Sequence, residues 1–306
     1  MEEITAAPLA RYTTLKVGGE ARRLLHPCCP DELYLALDRL KDSGEPWFVL
    51  GGGSNLLVSS AGFDGAVIRL TQMRTITNPE PGVLIAEAGV RLPHLAKYAA
   101  ASGLSGLEFA VGIPGTVGGA AVMNAGAHGS CFGDIIESVT VFDIETWNLL
   151  TLTKEDMCFQ YRSSRIAAGE QIVVSARLRL SEAVADNIAR KTQENEEYRF
   201  RTQPVGWPNA GSTFKNPDSE RSAGYLLDKA GAKQFKEGNA AVSAIHANFV
   251  INLGGATSLE ITSLLRRMQE SVYKQFQVRL RPEWKTLGKF SPSELAIWSG
   301  TFSVCD

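Results

Sequence analysis

Two glycine-rich segments carry the residue types best suited to binding an extended anion. The longer one, residues 103–126, has seven glycines in 24 residues and no Lys, Arg or Asp. Glycine inside regular structure is destabilising by roughly 0.5–1 kcal/mol relative to alanine, so this run predicts positive φ or close backbone contacts rather than a helix or a linker. Residues 113–115 and 118–119 predict tight turns, and the N–H groups of Thr116 and Val117 could bind a phosphate between them. A buried glycine corner between packed strands is the alternative.

The shorter segment, residues 51–55, follows a predicted strand at residues 47–50 and is a polar glycine turn. Two such turns could hold one extended anion. A GxGxxG motif fails here because Leu56 occupies the last glycine position, and no GxxxxGK[ST] sequence is present. These observations exclude the usual Rossmann and P-loop nucleotide sites.

The composition is that of an ordinary globular protein. Its 306 residues are 44% hydrophobic, enough for two or three domains with their own cores. The net charge of −2 offers no excess positive field, so we expect neither nucleic acid nor an anionic membrane as a partner. The N-terminus lacks an apolar targeting segment, which predicts a cytoplasmic protein. Five cysteines without a CxxC pair predict free thiols and no metal site.

Periodicity predicts a small α+β unit that ends near residue 72. Residues 13–19 predict a short strand and turn. A helix is predicted at residues 31–43, where apolar residues recur at i, i+3, i+4 and i+7 and Gly44 follows as a C-terminal cap. Strands are predicted at residues 47–50 and 66–70.

A second unit is predicted from the strand at residues 83–88. A helix begins at Pro93 and stops before Gly103. After the glycine-rich segment, strands are predicted at residues 139–143 and 171–180, the latter alternating as a half-buried antiparallel strand does. A polar, solvated helix then leads into a third unit. That unit contains a helix at residues 258–276, which begins with a Thr257/Glu260 capping box.

Six sequence blocks, taken together, resemble one family. They are VLGGGSNLL (49–57), GLEFAVGIPGTVGGAAVMNAG (106–126), YR (161–162), NAGSTFKNP (209–217), HANFVIN (246–252) and RPEWKTLG (281–288). Their order is similar to that of the MurB family, the FAD-dependent UDP-N-acetylenolpyruvoylglucosamine reductases of peptidoglycan synthesis. The resemblance covers nearly the whole chain to Gly288.

The resemblance implies an α+β fold of three domains. Residues 1–72 and 73–190 would be the two α+β subdomains of an FAD-binding fold of the vanillyl-alcohol-oxidase type. Residues 191–288 would form a C-terminal α+β substrate-binding domain. The tail, residues 289–306, lies beyond the matched blocks and has no predicted function.

The resemblance also implies a two-step reaction and three catalytic residues. NADPH reduces FAD, and hydride then passes to C3 of the enolpyruvyl group of UDP-N-acetylglucosamine enolpyruvate. Arg162 and Glu283 would stabilise negative charge at C2 and the carboxylate, and Ser212 would protonate C2. Taken singly, Arg162 would be a surface ion-pair partner, Glu283 a solvated charge and Ser212 a turn residue.

The family motifs map onto further residues that would bind the cofactor or the substrate. FAD is expected to be noncovalent, because the first turn carries Ser54 rather than a His or Cys that could attach it. The FAD-binding residues would be Gly51, Gly52, Gly53, Ser54, Asn55, Leu56, Gly112, Ile113, Pro114, Gly115, Thr116, Gly118, Gly119, Asn124, Ala125 and Gly126. The residues that bind the nucleotide sugar would be Arg199, Arg201, Lys215, Asn216, His246, Asn248 and Lys285. For Arg199 and Arg201, simple solvated charge is the alternative.

The chain departs from the family pattern at three positions. His128 stands where many members have Tyr, and Trp284 and Lys285 stand where many have Val and Arg. Lys lacks the planar fork of Arg, so a bidentate contact is not expected at position 285. The Arg162–Ser212 spacing resembles the shorter family variant, which lacks an extra tyrosine loop. We expect a monomer.

Two other functions are compatible with parts of the sequence. Another FAD-dependent oxidoreductase of this fold, acting on a small alcohol or sugar, would need both glycine segments but not the NAGSTFKNP and RPEW blocks. A noncatalytic protein that binds flavin or a nucleotide sugar would have no need of chemically competent residues at all three catalytic positions.

Overall fold

The computed structural model describes residues 1–166, 170–218 and 220–299. Its helices are α1 (Pro30–Ser43), α2 (Leu92–Ala101), α3 (Val117–Met123), α4 (Phe132–Ile135), α5 (Ala185–Thr202), α6 (Ala223–Lys229), α7 (Ser258–Phe276) and α8 (Pro292–Ser299). Its strands are β1 (Glu2–Pro8), β2 (Glu20–His26), β3 (Trp47–Leu50), β4 (Leu56–Val58), β5 (Phe63–Arg69), β6 (Ile76–Glu80), β7 (Val83–Glu87), β8 (Leu104–Ser105), β9 (Gly126–Ala127), β10 (Ser130–Cys131), β11 (Ile136–Asp143), β12 (Asn148–Thr153), β13 (Gln171–Arg179), β14 (Ser181–Glu182), β15 (Lys236–Glu237), β16 (Ala240–Val242), β17 (Val250–Asn252) and β18 (Lys285–Leu287).

The described residues divide into two compact units, each with its own hydrophobic core. The first unit comprises residues 1–4, 23–52 and 65–199. The second comprises residues 5–22, 53–64 and the described residues from Phe200 onwards. The domain boundaries expected at residues 72, 190 and 288 stay predictions.

The first unit is built around an antiparallel five-stranded sheet of order β12-β11-β13-β7-β6. The central strand β13 follows the predicted alternation except at Val173, which is buried between Ile172 and Val174. Ile172, Val174, Ala176 and Leu178 are buried, whereas Arg179 is exposed. Helix α3 packs against β13 and thereby fixes one end of the longer glycine segment to the sheet.

Strand β3, which leads into the first glycine turn, pairs in parallel with β5, with Trp47 opposite Ala66. These strands belong to a sheet of order β1-β2-β5-β3. Helix α1 buries Leu33, Ala36, Leu37 and Leu40, as its periodicity predicts. Gly44 ends the helix in the left-handed conformation at φ 63°.

The second unit contains a three-stranded sheet, β15-β16-β17, and the long helix α7. The predicted capping box at the start of α7 is confirmed. Thr257 Oγ1 accepts a hydrogen bond from Glu260 N at 3.2 Å, and Glu260 Oε2 accepts one from Thr257 N at 2.7 Å. The described part of the tail belongs to this core, because Ile297 is buried and its carbonyl accepts a hydrogen bond from Gln269.

Two predictions from local sequence are wrong. Residues 13–19 form no strand, whereas the unpredicted β1 precedes them. The longer glycine segment contains helix α3, so Gly118 and Gly119 are helical rather than a tight turn. Tertiary packing overrides propensity here, because a Cβ on Gly118 would lie 3.1 Å from the Cβ of Ala88, the residue that follows β7.

Among the described residues, Cys28, Cys29, Cys131 and Cys158 are free thiols. Cys305 and the rest of residues 300–306 lie outside the described part. The ligand atoms of Cys28, Cys29 and Glu32 lie within 4.8 Å of one another, but the Glu32 carboxylate already pairs with the Met1 amino group. Over the residues described, we find no helix with the length and apolar character that a membrane span requires.

Candidate active site

The two glycine segments contact each other within the first unit. A Cβ on Gly51 would lie 2.6 Å from Thr116 Oγ1, and one on Gly52 would lie 3.0 Å from Gly115 Cα. A Cβ on Gly51 would overlap the Thr116 hydroxyl, and one on Gly52 would require Gly115 to move by a few tenths of an ångström. The backbones of the two segments therefore lie close together with no side chain between them, so a diphosphate could approach the backbone directly.

The prediction that the N–H groups of Thr116 and Val117 bind a phosphate is wrong for Val117, whose N–H already has a partner. The Val117 N–H donates to Val90 O at 2.9 Å, and the Gly118 N–H donates to Ala88 O at 2.9 Å. These donors hold α3 in place and are not available to an anion. The Thr116 hydroxyl differs: among the described residues, its buried Oγ1 has no hydrogen-bond partner.

That buried hydroxyl and the side-chain-free turn fit a ligand that brings acceptor oxygens, such as the diphosphate of the expected FAD. A buried hydroxyl without a partner costs free energy unless something satisfies it. Thr116 adjoins Gly51, so the two expected cofactor-binding segments meet at this hydroxyl.

Arg162 lies in a tight turn next to the residues expected near the flavin ring. Gln160 and Ser163 exchange backbone hydrogen bonds of 3.0 and 3.2 Å, and between them Arg162 adopts φ 53°, uncommon for a residue with a side chain. Its Nη2 donates to Gly126 O at 2.9 Å. Asn124, also left-handed at φ 43°, donates from Nδ2 to Gln160 O at 3.0 Å. The turn is thus held against residues 124–126.

Ser212 and Glu283 lie on neighbouring segments of the second unit. The Glu283 N–H donates to Thr213 O at 2.8 Å, immediately after Ser212 in sequence. Asn55 of the first glycine segment bonds the Glu283 segment twice: its Nδ2 donates to Glu283 O at 3.3 Å and its carbonyl accepts from Lys285 N at 3.1 Å. Both Ser212 and Glu283 are half-buried. The fold therefore places two segments side by side that lie 71 positions apart in the sequence, one carrying Ser212 and the other Glu283.

Asn248 holds the backbone of the Ser212 segment in place through three hydrogen bonds. Its side chain is 3% exposed. Its Oδ1 accepts from Phe214 N at 2.9 Å, and its Nδ2 donates to Phe214 O at 2.9 Å. Its own carbonyl accepts from Thr213 N at 2.8 Å. The position of Asn248 is therefore that of a residue which positions the Ser212 segment.

His246 is a half-buried neutral donor in the second unit. Burial, and secondly the charge of Lys233, lower the pKa of His246 from its ordinary value. Its Nδ1 accepts a hydrogen bond from Asn248 N at 3.1 Å, so the proton of the neutral ring is on Nε2. The ring packs against Phe249.

The other expected substrate residues of this unit are more accessible. Lys215 is half-buried, whereas Arg201, Asn216 and Lys285 are exposed. Asn216 Oδ1 accepts from Ala223 N at 3.0 Å and so holds the start of α6. Lys285 lies in β18, opposite Leu56 of β4. Trp284, one of the departures from the family pattern, is buried in the core.

Arg199 belongs to the first unit, where it lies against Gly112 of the longer glycine segment. A Cβ on Gly112 would be 2.5 Å from Arg199 Cδ. His128, the other departure, packs edge-on against Tyr198 with ring centroids 5.3 Å apart. Desolvation, and secondly the charge of Arg199, lower the pKa of His128.

Thr14 is a positioning residue that sequence reasoning missed. Its N–H donates to Gly53 O at 3.0 Å and its hydroxyl donates to Asn209 O at 2.6 Å. It thereby joins the first glycine segment to the segment that carries Ser212 within the second unit. A short Thr-Thr pair before glycines carries no signal by which this role could be found.

Two family profiles match the chain. One describes the C-terminal domain of UDP-N-acetylenolpyruvoylglucosamine reductase and matches residues 203–287. The other describes an FAD binding domain and matches residues 21–148.

Individual relatives are similar along nearly the whole chain. The UDP-N-acetylenolpyruvoylglucosamine reductase of Caldicellulosiruptor saccharolyticus is 42% identical over 292 residues, 95% of this chain and 93% of the relative. That of Parasynechococcus marenigrum is 43% identical over 283 residues, 92% of this chain and 94% of the relative. The crystal structure of UDP-N-acetylenolpyruvylglucosamine reductase (MurB) from Thermus caldophilus superposes with a TM-score of 0.78 at 37% identity, covering 94% of this chain and 98% of that one.

Proposed function

The chain belongs to the UDP-N-acetylenolpyruvoylglucosamine reductase (MurB) family, and from that membership we propose which of its residues carry the reaction. The protein is an FAD-dependent oxidoreductase that uses NADPH to reduce the enolpyruvyl group of UDP-N-acetylglucosamine enolpyruvate, giving UDP-N-acetylmuramate for peptidoglycan synthesis. An oxidase for small alcohols or a noncatalytic binding protein is not favoured.

When bound, FAD would supply the hydride chemistry by which hydride passes from NADPH to C3 of the enolpyruvyl group. Addition at C3 leaves an electron pair at C2 that is delocalised into the adjoining carboxylate. The protein must therefore stabilise this negative charge and provide one proton to C2.

Arg162 would stabilise the developing carboxylate charge. Its guanidinium is always protonated, and its bond to Gly126 O holds it beside the residues assigned to the flavin ring. The left-handed backbone at Arg162 is kept by hydrogen bonds on both sides of the turn. A charge held in place before the reaction needs no reorganisation when the substrate charge appears.

Ser212 would donate the proton to C2, and Glu283 would contact the same charge. The observation that carries this proposal is the Glu283 N–H to Thr213 O hydrogen bond of 2.8 Å, which places Ser212 and Glu283 on adjoining segments. An ionised carboxylate would repel the developing negative charge. Glu283 would therefore stabilise that charge in its protonated form, by donating a hydrogen bond to the enolate oxygen.

We also propose noncovalent binding of FAD through residues 51–56, 112–119 and 124–126. Lys215 and the Nε2–H of His246 would bind the nucleotide sugar, with Arg201, Asn216 and Lys285 as further contacts. A monomeric, cytoplasmic enzyme with two FAD-binding subdomains divided near residue 72 remains part of the same proposal.

The role of Ser212 is tested by separating the two half-reactions. In an anaerobic stopped-flow experiment, NADPH should bleach the flavin of Ser212→Ala at close to the normal rate, because that step needs no proton at C2. Reoxidation by the enolpyruvyl nucleotide sugar should slow by roughly 10²–10⁴-fold, the effect of losing a positioned general acid.

Ser130→Ala is the matched control, because Ser130 lies in the short strand β10 and has no assigned role. It should leave both halves unchanged. Equal losses in both halves of Ser212→Ala would show that Ser212 supports the fold or the flavin. Normal reoxidation would show that another group supplies the proton.

A further inference from the structure

Arg199 lies directly on the longer glycine segment. Within the first unit, the last turn of α5 brings its side chain over Gly112, where an ideal Cβ would be 2.5 Å from Arg199 Cδ and 3.3 Å from Nε. Gly112 therefore lacks a side chain at the point where the arginine stem crosses it. The same glycine segment meets the first one at Gly115 and Thr116.

The guanidinium of Arg199 is desolvated without a counter-charge. Burial lowers the pKa of Arg199 from its ordinary value, and no other influence on that pKa is found. Over the part of the chain that the structure describes, Arg199 has neither an ion pair nor a hydrogen bond. Its neighbour His128 supplies no negative charge, because an imidazole is either neutral or cationic.

A half-buried cation of this kind destabilises the protein unless an anion compensates it. Arginine is suited to a phosphate or diphosphate, because its planar fork can donate two parallel hydrogen bonds. Three diphosphates take part in the assigned reaction, those of FAD, of NADPH and of the nucleotide sugar.

We propose that Arg199 binds the diphosphate of FAD and not that of the nucleotide sugar. The choice follows from its contact with Gly112 and from the junction of the two glycine segments a few residues later. The glycines provide the close backbone approach, and the arginine provides the positive charge that residues 103–126 themselves lack. This inference rests on the proposed function, and it changes the role expected for Arg199 from the sequence.

The test measures FAD affinity rather than turnover. Holoenzyme is diluted in steps, and the fluorescence of released FAD gives the dissociation constant. Arg199→Met keeps most of the apolar stem but removes the charge, so FAD binding should weaken roughly 10–100-fold, as expected on losing hydrogen bonds to a charged group. Arg199→Lys should lose less, because it keeps the charge but not the fork. Gly112→Ala should also weaken FAD binding by displacing the arginine stem.

Arg190→Met is the matched control. Arg190 lies on the same helix but is exposed and paired with Glu194, so FAD affinity should not change. The affinity for the enolpyruvyl nucleotide sugar, read from its perturbation of the flavin spectrum, should be similar in all FAD-saturated variants.

Three results would overturn the proposal. Unchanged FAD affinity with weaker nucleotide-sugar binding would assign Arg199 to the substrate. Unchanged affinity for both would make it a structural arginine. If Arg199→Met fails to fold, normal FAD affinity in Arg199→Lys and Gly112→Ala together would have the same consequence. A wild-type protein that binds no FAD would instead contradict the proposed function itself.

Discussion

At the scale of single residues, Asn248 determines the geometry of the Ser212 segment without being placed to react. Both ends of its buried amide bond the backbone of Phe214, at 2.9 Å in each case. These bonds satisfy the N–H and the C=O of a buried residue. Asn216, two residues beyond Phe214, is an exposed asparagine that makes a single bond to Ala223 N.

The two asparagines make a matched pair of variants. Asn248→Ala leaves a buried N–H and C=O unsatisfied, at about 1–3 kcal/mol each, so the free energy of unfolding should fall by about 2–6 kcal/mol. Asn216→Ala removes one exposed bond and should cost about 1 kcal/mol or less. Chemical denaturation with tryptophan fluorescence would measure both. Equal losses would contradict the positioning role of Asn248.

At the scale of elements, the surroundings of a glycine determine whether a side chain can replace it, even where the backbone conformation is the same. Gly53 and Gly44 have nearly the same backbone, at φ 64° and 63°. A Cβ on Gly53 would lie 2.2 Å from Tyr12 O, whereas one on Gly44 has nothing within 4 Å. The first belongs to a packed functional turn and the second to an open helix cap.

The two glycines separate backbone strain from steric conflict. Gly44→Ala should cost about 1–2 kcal/mol, the left-handed penalty alone. Gly53→Ala should cost about 1–3 kcal/mol more, because its Cβ meets backbone that cannot rotate away. Thermal unfolding of the two variants measures the difference. Equal melting temperatures would show that the turn at Gly53 has room that the structure does not indicate.

The same contrast explains which elements are predictable from sequence. Helices α1 and α7 and strand β13 have strong periodicity and end signals, and all three agree with prediction. Helix α3 does not, because its two glycines make the sequence resemble a turn and only packing against β13 shows otherwise. Strand β1 has no periodic apolar pattern to indicate it.

The candidate site shows a similar limit. Family motifs identify Ser212 and Glu283, but their adjacency depends on the hydrogen bond between Thr213 and Glu283, a long-range pairing that local patterns do not encode. The contacts made by Arg199 and Asn248 likewise depend on tertiary neighbours. Sequence motifs thus predict which residues belong to the candidate site better than they predict the contacts that each residue makes.

At the scale of the whole molecule, three histidines couple stability to pH, and burial also lowers the pKa of the third, His128. Burial lowers the pKa of His26 and of His246 from the ordinary value of 6.5, with a secondary contribution from Arg69 and from Lys233 respectively. The unfolded chain therefore binds more protons than the folded chain between the lowered pKa and 6.5. Stability contributed by the neutral rings is present above that window and is lost as pH falls through it.

The melting temperature should accordingly decrease as pH is lowered below 6.5, before most carboxylates titrate. His246→Gln should flatten part of this dependence, because glutamine does not titrate. Differential scanning calorimetry in buffers of matched ionic strength measures the slope. A melting temperature that stays constant or rises on acidification would contradict the burial of these rings.

The assigned function is a redox cycle that can be observed directly. The purified protein should be yellow, and denaturation should release its FAD. Under anaerobic conditions one equivalent of NADPH should bleach the flavin, and the enolpyruvyl nucleotide sugar should then restore its absorbance while UDP-N-acetylmuramate forms in equal amount. A flavin that NADPH bleaches but that this substrate leaves reduced would contradict the assignment, as would a protein that takes up no FAD.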